Sequence, residues 1–204
     1  MTPDDPRRHY PATARNRDAI LAVLRPRLRP GDLLLEIASG SGEHAAWMAP
    51  RLEGVDWQPS DVEREALAGI DAHTGDSGGG RIRPALHLDA CAPSWPIEQA
   101  DAILCCNMIH IAPWQAAEGL LAGAGRILNP RGLLFLYGPF MRDGRHTAPS
   151  NETFDASLKA RDPDWGVREM ETVAAAAGRH GLALEETEAM PANNFTLIFR
   201  RDGA

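Results

Sequence analysis

The sequence predicts an α/β fold: a seven-stranded, mostly parallel sheet with helices on both faces and an antiparallel C-terminal strand pair. Strand-like apolar runs alternate with helical patterns over most of the chain, which is typical of parallel sheets. The run 101–106 is apolar after its first residue, as expected of a strand buried on both faces. A short loop with a proline separates the last two strand-like runs, 182–187 and 195–200, which indicates antiparallel pairing.

The strands are separated by helical patterns and by turn-forming residues. The segment 129–132 reads as a turn before the fifth strand, and the glycine-rich segment 75–80 reads as a surface loop. In chain order, the strands are predicted at 33–37, 55–61, 84–88, 101–106, 133–137, 182–187 and 195–200.

The helices are predicted from apolar residues that recur every three or four positions. The first begins at Thr13 or Asn16 and is stopped by Pro26 and Pro30, and the last is stopped by Gly181. The remaining helices are predicted at 43–52, 62–73, 114–128, 151–160 and, for the last, 167–180.

Length and composition predict one domain over residues 1–204, in which residues 1–30 form an N-terminal lid and helix. The net charge of −7 argues against a general binder of phosphate backbones, so a nucleic-acid partner is not expected. Cys91, Cys105 and Cys106 show no disulfide framework, which fits a reducing cytoplasm. We expect neither a signal region nor a membrane span, and the sequence predicts no particular oligomeric state.

The most informative run is 33–44, where an apolar strand containing Glu36 leads into a glycine turn and then a helix. This is the layout of an adenosine-cofactor site at the carboxyl edge of a parallel sheet. Gly40 and Gly42 lack a Cβ atom, so the chain can turn sharply and bring backbone N–H groups against a ligand. The alternative is that this turn only connects the strand to the helix.

Two further acidic residues follow predicted strands. Asp61 ends the second strand about 20 residues beyond the glycine turn, where a carboxylate can accept bonds from ribose hydroxyls. Asp61 can also cap the helix that starts near Val62. Asp89 follows the third strand, where it can accept a bond from an adenine amino group or merely end the strand.

With these residues, the chain resembles the class I S-adenosylmethionine-dependent methyltransferases. It also resembles a narrower methyltransferase-like family that is known only as a domain of unknown function. The matching segments are 15–17, 36–44, 57–61, 107–114, 136–140 and 190–194. The resemblance implies a Rossmann-like fold and S-adenosylmethionine as cofactor, and it implies no particular acceptor.

The resemblance also implies a set of cofactor-binding residues along the carboxyl edge of the sheet. They are Glu36, Ala38, Ser39, Gly40, Gly42, His44, Asp61, Asp89 and Asn107. One departure from the general class is that the pair Ala38-Ser39 replaces the usual first glycine of the turn. We therefore expect the loop to approach the methionine end of the cofactor differently.

His110 and Tyr137 are the candidate catalytic residues. Asn107 and His110 interrupt an apolar stretch after the fourth strand, where ligands of open α/β sheets bind. His110 can take a proton from a hydroxyl, thiol or amine, or it can bond a neighbouring carbonyl and only shape the pocket. Tyr137 closes the fifth strand and can donate to a substrate or line its pocket.

Candidate substrate-binding residues come from both ends of the chain and from the start of one helix. They are Tyr10, Arg15, Asn16, Trp114, Asn193 and Asn194. Adjacent asparagines are also typical of a plain turn. The scattered histidines show no metal-ligand spacing, so no metal is predicted.

These observations favour S-adenosylmethionine-dependent methyl transfer to a small-molecule acceptor. The absence of an evident catalytic triad does not oppose this hypothesis, because alignment of acceptor, methyl carbon and sulfur supplies much of the catalysis. The first alternative is a non-catalytic cofactor-binding or partner-binding protein with the same fold. The second is a nucleotide-dependent enzyme such as a dehydrogenase; the short-chain type is disfavoured because Met141 stands where its lysine would follow Tyr137.

Overall fold

The computed structural model describes residues 5–77 and 81–203, and this part of the chain forms one large mixed sheet with helices on both faces and a separate two-stranded antiparallel sheet of Met141–Arg142 and Arg145–His146. The strands are β1 (Leu33–Ile37), β2 (Asp56–Asp61), β3 (Arg81–Ile82), β4 (Leu86–His87), β5 (Ala100–Cys106), β6 (Leu128–Gly138), β7 (Met141–Arg142), β8 (Arg145–His146), β9 (Leu182–Met190) and β10 (Asn194–Arg201). The helices are α1 (Pro11–Leu24), α2 (Glu43–Met48), α3 (Arg64–Gly75), α4 (Trp114–Ile127), α5 (Pro149–Arg161) and α6 (Met170–Gly178).

The strand order across the sheet is β3-β2-β1-β5-β6-β10-β9, and β4 also pairs with β2. Since β3 and β4 lie one after the other along the same edge of β2, the sheet has seven strand positions. β10 is antiparallel to both of its neighbours, whereas the other pairs of this sheet are parallel. The predicted fold class is confirmed, including the antiparallel C-terminal pair.

The third predicted strand, 84–88, is reduced to the two residues of β4, and a second short piece, β3, lies ahead of the predicted range. On the side of β2 that faces β3 and β4, the carbonyl groups of Trp57 and Asp61 accept hydrogen bonds from backbone N–H groups. Pro59, which lies between them, has no N–H to donate to this edge. The side-chain amide of Gln58 fills the gap by donating to the carbonyls of Pro59 and Pro84, at 3.0 and 2.8 Å. The proline in β2 therefore explains the interruption.

The turn predicted at 129–132 lies inside β6. Leu128 pairs with Ala100 and Leu133 with Ala102, so β6 advances further than β5 over this stretch. The extra residues bulge out of the ladder, and Arg131 has a left-handed φ of 67°. The turn chemistry is therefore present, but it interrupts a strand instead of preceding one.

The helices begin and end close to their predicted positions, and prolines account for two of the differences. α1 begins at Pro11, where a proline at the first helical position has no N–H bond to lose, and it ends at Leu24 ahead of Pro26. α2 is shorter than predicted and continues as a 3₁₀ turn at Ala49–Arg51. The loop predicted at 75–80 lies partly outside the described residues, and Gly75 itself ends α3.

Two apolar clusters cover the two faces of the sheet. One contains the buried side chains of α4 and α6, and the other contains those of α1 and α2. β5 contributes alternate residues to both clusters, with Ile103 in the first and Leu104 in the second. This packing fixes the carboxyl ends of β1, β2, β5 and β6 along one edge of the sheet. No helix of the described residues is long and apolar enough to cross a membrane.

Candidate cofactor and acceptor site

The glycine turn after β1 has a left-handed backbone at three positions. Ala38, Gly40 and Gly42 have φ values of 57°, 61° and 80°. A Cβ on Gly42 would lie 2.9 Å from the Ile70 Cα, so this glycine allows α2 to pack closely on α3. A Cβ on Gly40 would instead lie 3.1 Å from the Tyr10 ring. Ala38 adopts a left-handed conformation that favours glycine, which costs about 1–2 kcal/mol of backbone strain. The turn therefore stays tight although the Ala38-Ser39 pair replaces the usual glycine.

Glu36 forms the floor beneath this turn. Its carboxylate accepts hydrogen bonds from the Ser39 hydroxyl at 2.9 Å and from the Trp57 indole at 3.0 Å. The Ser39 hydroxyl in turn accepts the N–H of Ser60 at 3.1 Å. Burial raises the pKa of Glu36 to about 7, against the lowering effect of these two donors. Glu36 and Ser39 therefore hold the turn onto β2 through their side chains.

Asp61 connects the turn to the start of α3. One carboxylate oxygen accepts the N–H of Gly40 at 2.9 Å, and the other accepts the N–H of Glu63 at 2.9 Å. Both bonds lie at the carboxyl edge of the sheet, and a carboxylate has lone pairs for further donors. Asp89 is exposed and accepts the N–H of Cys91 at 2.8 Å, which closes a local turn after β4.

A row of buried polar side chains links the glycine turn to the end of β6. His44 places Nε2 2.8 Å from Asn16 Oδ1, and its Nδ1 lies 3.7 Å from the Glu36 carboxylate. Burial lowers the pKa of His44 to about 4, so the ring is neutral and donates through Nε2 to Asn16. The Asn16 side chain lies close enough to the Tyr137 hydroxyl to lower its pKa, but burial raises that pKa by more. Tyr137 is therefore held protonated and can donate.

A cleft of about 760 Å³ opens beside Tyr137. It is bordered by α1, the loop after β5, the end of β6, α5 and the loop between β9 and β10. Six residues predicted for the site meet there: Arg15, Asn16, Asn107, Tyr137, Asn193 and Asn194. Segments from both ends of the chain therefore come together in one cleft.

Two loops of the cleft depend on unusual backbone conformations. Asn107 has a φ of 62°, and its N–H donates to the carbonyl of Tyr137 at 2.8 Å. Ala192 and Asn193 have φ values of 57° and 58°. The buried Asn151 amide donates to the Asn193 carbonyl at 2.9 Å and holds this loop against α5. Sequence reasoning missed Asn151, because nothing in the pattern of its helix distinguishes it from a capping residue.

His110 lies outside the cleft and is fully buried. Its Nδ1 accepts the N–H of Arg168 at 3.2 Å, so the neutral ring carries its proton on Nε2. Nε2 faces Gly138, where a Cβ would lie only 2.4 Å away. Burial and the Arg168 charge lower the pKa of His110 to about 3. This geometry supports His110 neither as a general base nor as a residue that shapes the cleft, because the buried ring does not line it.

Arg168 holds the loop after β5 in place, and the sequence pattern did not indicate this role. Its guanidinium donates to the carbonyls of Ile109 and Ala112, at 2.9 and 2.8 Å. The same guanidinium lies 5.7 Å from the centre of the Trp114 ring. Trp114 packs against the core and does not line the cleft, so the structure does not bring it to the other predicted substrate residues.

The N-terminal segment 5–10 lies across α3 and the glycine turn. Arg8 pairs with Glu63 at 2.6 Å, and the N–H of Tyr10 donates to Glu43 at 2.9 Å. The Tyr10 ring faces Gly40 and is 45 % exposed. The segment therefore covers the turn from the solvent side.

Comparisons with known proteins agree with this architecture. A family model described as "Protein of unknown function (DUF938)" matches residues 7–201. Human N-acetylserotonin methyltransferase in complex with SAM is similar with a TM-score of 0.79 and 14% identity, over 94% of this chain and 53% of that chain. The S-adenosylmethionine-dependent methyltransferase SibL is similar with a TM-score of 0.78 and 18% identity, over 94% of this chain and 56% of that chain. The mitomycin 7-O-methyltransferase MmcR is similar with a TM-score of 0.78 and 17% identity, over 93% of this chain and 54% of that chain. The chain thus spans about half the length of these proteins, and at such identities the likeness shows a shared fold.

Proposed function

We propose that this chain, which belongs to the DUF938 family, transfers a methyl group from S-adenosylmethionine to a small-molecule acceptor. The observation that carries the proposal is the position of two features at the same edge of the sheet. The Asp61–Gly40 contact of 2.9 Å forms a cradle at the ends of β1 and β2, and the cleft of about 760 Å³ opens at the ends of β5 and β6. Solved methyltransferases of the same fold support this assignment.

The residues around the turn fit the cofactor. Asp61 would hold the ribose hydroxyls, since its carboxylate has free acceptor capacity beyond Gly40 and Glu63. The backbone around Gly40 would approach the cofactor closely, and Asp89 and Asn107 would contact its two ends. Glu36, Ser39 and His44 would act by holding this surface in place, because their side chains are bonded within the protein.

When bound, S-adenosylmethionine would supply a methyl group made electrophilic by its positively charged sulfur, which would keep the bonding electrons; a protonated acceptor would release its proton to bulk solvent after the transfer. The protein's part is to orient the acceptor and exclude water. Tyr137 is the side chain best placed to do so, because its protonated hydroxyl lies at the cleft beside Asn16. His110 has no proton-transfer role in this proposal.

Calorimetry with S-adenosylhomocysteine tests the proposal. Wild-type protein should bind it, and Asp61→Ala should weaken binding by about 1.5–3 kcal/mol, or roughly 10- to 150-fold, through loss of a charge-assisted hydrogen bond. Asp61→Asn removes the charge but keeps an acceptor for one of the two neighbouring N–H groups, so it disturbs the local structure less than Asp61→Ala. Asp202→Ala is the matched control, because Asp202 is exposed and distant from the turn. Binding of NAD in preference to S-adenosylhomocysteine would favour the dehydrogenase alternative.

A further inference from the structure

The acceptor cleft carries a single charge. Among the described residues that line it, Arg15 is the only side chain that is charged at neutral pH, and the walls contain neither aspartate nor glutamate. This is unusual in a chain whose net charge is −7. A lone cation in a cleft without acids makes the cleft attractive to an anion.

The Arg15 guanidinium has no carboxylate partner among residues 5–77 and 81–203. Other arginines of the same region are engaged: Arg17 lies 3.6 Å from the centre of the Trp47 ring, and Arg27 pairs with Glu186 at 2.5 Å. Arg15 is close enough to Tyr137 for its charge to favour the ionised phenol, against the stronger effect of burial on that pKa. The Arg15 guanidinium and the Tyr137 hydroxyl therefore belong to the same cleft.

Part of the cleft wall is apolar where it meets solvent. Ile111 and Phe154 line it and are 41 % and 37 % exposed, which makes them two of the few large apolar side chains at the described surface. Pro139 and Pro191 add further apolar wall. Such walls suit a flat, largely apolar body, while a small number of polar groups fix its orientation.

We infer that the acceptor is a small aromatic or similarly flat carboxylate, whose carboxylate Arg15 binds and whose nucleophilic atom lies towards Tyr137. One guanidinium matches the single charge of a carboxylate and its two oxygens. A phosphate monoester, with a charge close to −2, would call for more than one cation. The inference rests on the proposed function, since it names the substrate class of that same site.

Matched pairs of a carboxylate and its carboxamide test this inference by calorimetry, in the presence of saturating S-adenosylhomocysteine. Suitable pairs are 4-hydroxybenzoate with 4-hydroxybenzamide, cinnamate with cinnamamide, and indole-3-acetate with indole-3-acetamide. At least one carboxylate should bind roughly 10- to 100-fold more tightly than its amide, which is the range of a charge-assisted hydrogen bond. Arg15→Gln should abolish this preference, whereas the control Arg25→Gln, which removes an exposed charge from the end of α1, should retain it.

The inference is overturned if no carboxylate is preferred over its amide, or if the preference survives in Arg15→Gln. The affinity for S-adenosylhomocysteine is measured in the same variants and should not change in Arg15→Gln. A loss of that affinity, without any carboxylate preference in the wild type, would assign Arg15 to the carboxylate of the cofactor itself. If wild-type protein does not bind S-adenosylhomocysteine at all, the proposed function fails, and the carboxylate pairs measured without it still decide the role of Arg15.

Discussion

The glycine turn and the acceptor cleft lie on the same sheet edge but are built in different ways. The turn is assembled from two short segments, 36–44 and 57–63, whose polar groups bond mainly to one another. The cleft draws on five separated segments, and several of its polar groups face open space. The turn is therefore a rigid, local device suited to a constant ligand, whereas the cleft is a composite surface whose chemistry can vary with its loops.

The sharpest test of this contrast is Gly40→Val. A branched side chain at φ 61° would strain the backbone and occupy the surface opposite Tyr10, so binding of S-adenosylhomocysteine should be abolished in calorimetry. Gly144→Val is the matched control, since Gly144 has a φ of 70° and no atom within 4 Å of its added Cβ. It shares the backbone strain of roughly 1–2 kcal/mol and should leave binding intact. Equal binding by both folded variants would reduce the glycine turn to a plain connection.

Asn16 tests whether the two regions are coupled, because it bonds His44 on one side and lies beside the Tyr137 hydroxyl on the other. Asn16→Leu would leave the buried Nε2–H of His44 without an acceptor. We expect the free energy of unfolding, measured by urea denaturation, to fall by about 1–3 kcal/mol. Leu182→Val, in the core cluster away from the site, is the comparison, because it removes only buried apolar contacts. An unchanged stability of Asn16→Leu would mean that the polar row does not join the two regions.

The glycine turn and the buried segment after β5 should also differ in how pH affects stability. The pKa of Glu36 is raised to about 7, so the folded state binds its proton more tightly, and this contribution to stability is lost as pH rises from 4.5 towards 7. The pKa of His110 is lowered to about 3, so the unfolded state binds more protons between pH 3 and 6.5, and stability rises with pH across that window. Each group changes the slope of the free energy of unfolding against pH by at most about 1.4 kcal/mol per pH unit.

Two conservative variants separate these contributions. Glu36→Gln should make stability rise more steeply between pH 4.5 and 6.5, and His110→Asn, which keeps an acceptor for the N–H of Arg168, should make the rise shallower. Denaturant unfolding at pH 4.5, 5.5 and 6.5 measures both slopes relative to the wild type. Parallel curves for all three proteins would contradict the assigned ionisation states.

The sequence was most informative where structure is set by neighbouring residues. The strand–turn–helix unit at 33–48 and the position of Asp61 follow from local patterns, and the antiparallel final pair follows from a short loop. The broken edge strand was not predicted, because the effect of Pro59 depends on which side of β2 its missing N–H faces. This orientation depends on the register with β1 and the edge strands.

The direction of side chains after β5 was the hardest feature to predict. His110 and Asn107 are three residues apart, yet Asn107 lines the cleft and His110 points into the core. The left-handed conformation of Asn107 and the bonds of Arg168, which is distant in sequence, decide this difference. Asn151 was missed for a similar reason, since its partner is the carbonyl of Asn193 on another loop.

The most direct test of the central claim is a crystal structure with S-adenosylhomocysteine. We expect a ribose hydroxyl at hydrogen-bond distance, about 2.5–3.0 Å, from the Asp61 carboxylate; this arrangement is the expected result. We also expect the cofactor's sulfur to open into the cleft lined by Asn107 and Tyr137. A cofactor bound elsewhere, or one whose sulfur is separated from that cleft by protein, would contradict the claim that the two regions form one methyl-transfer site.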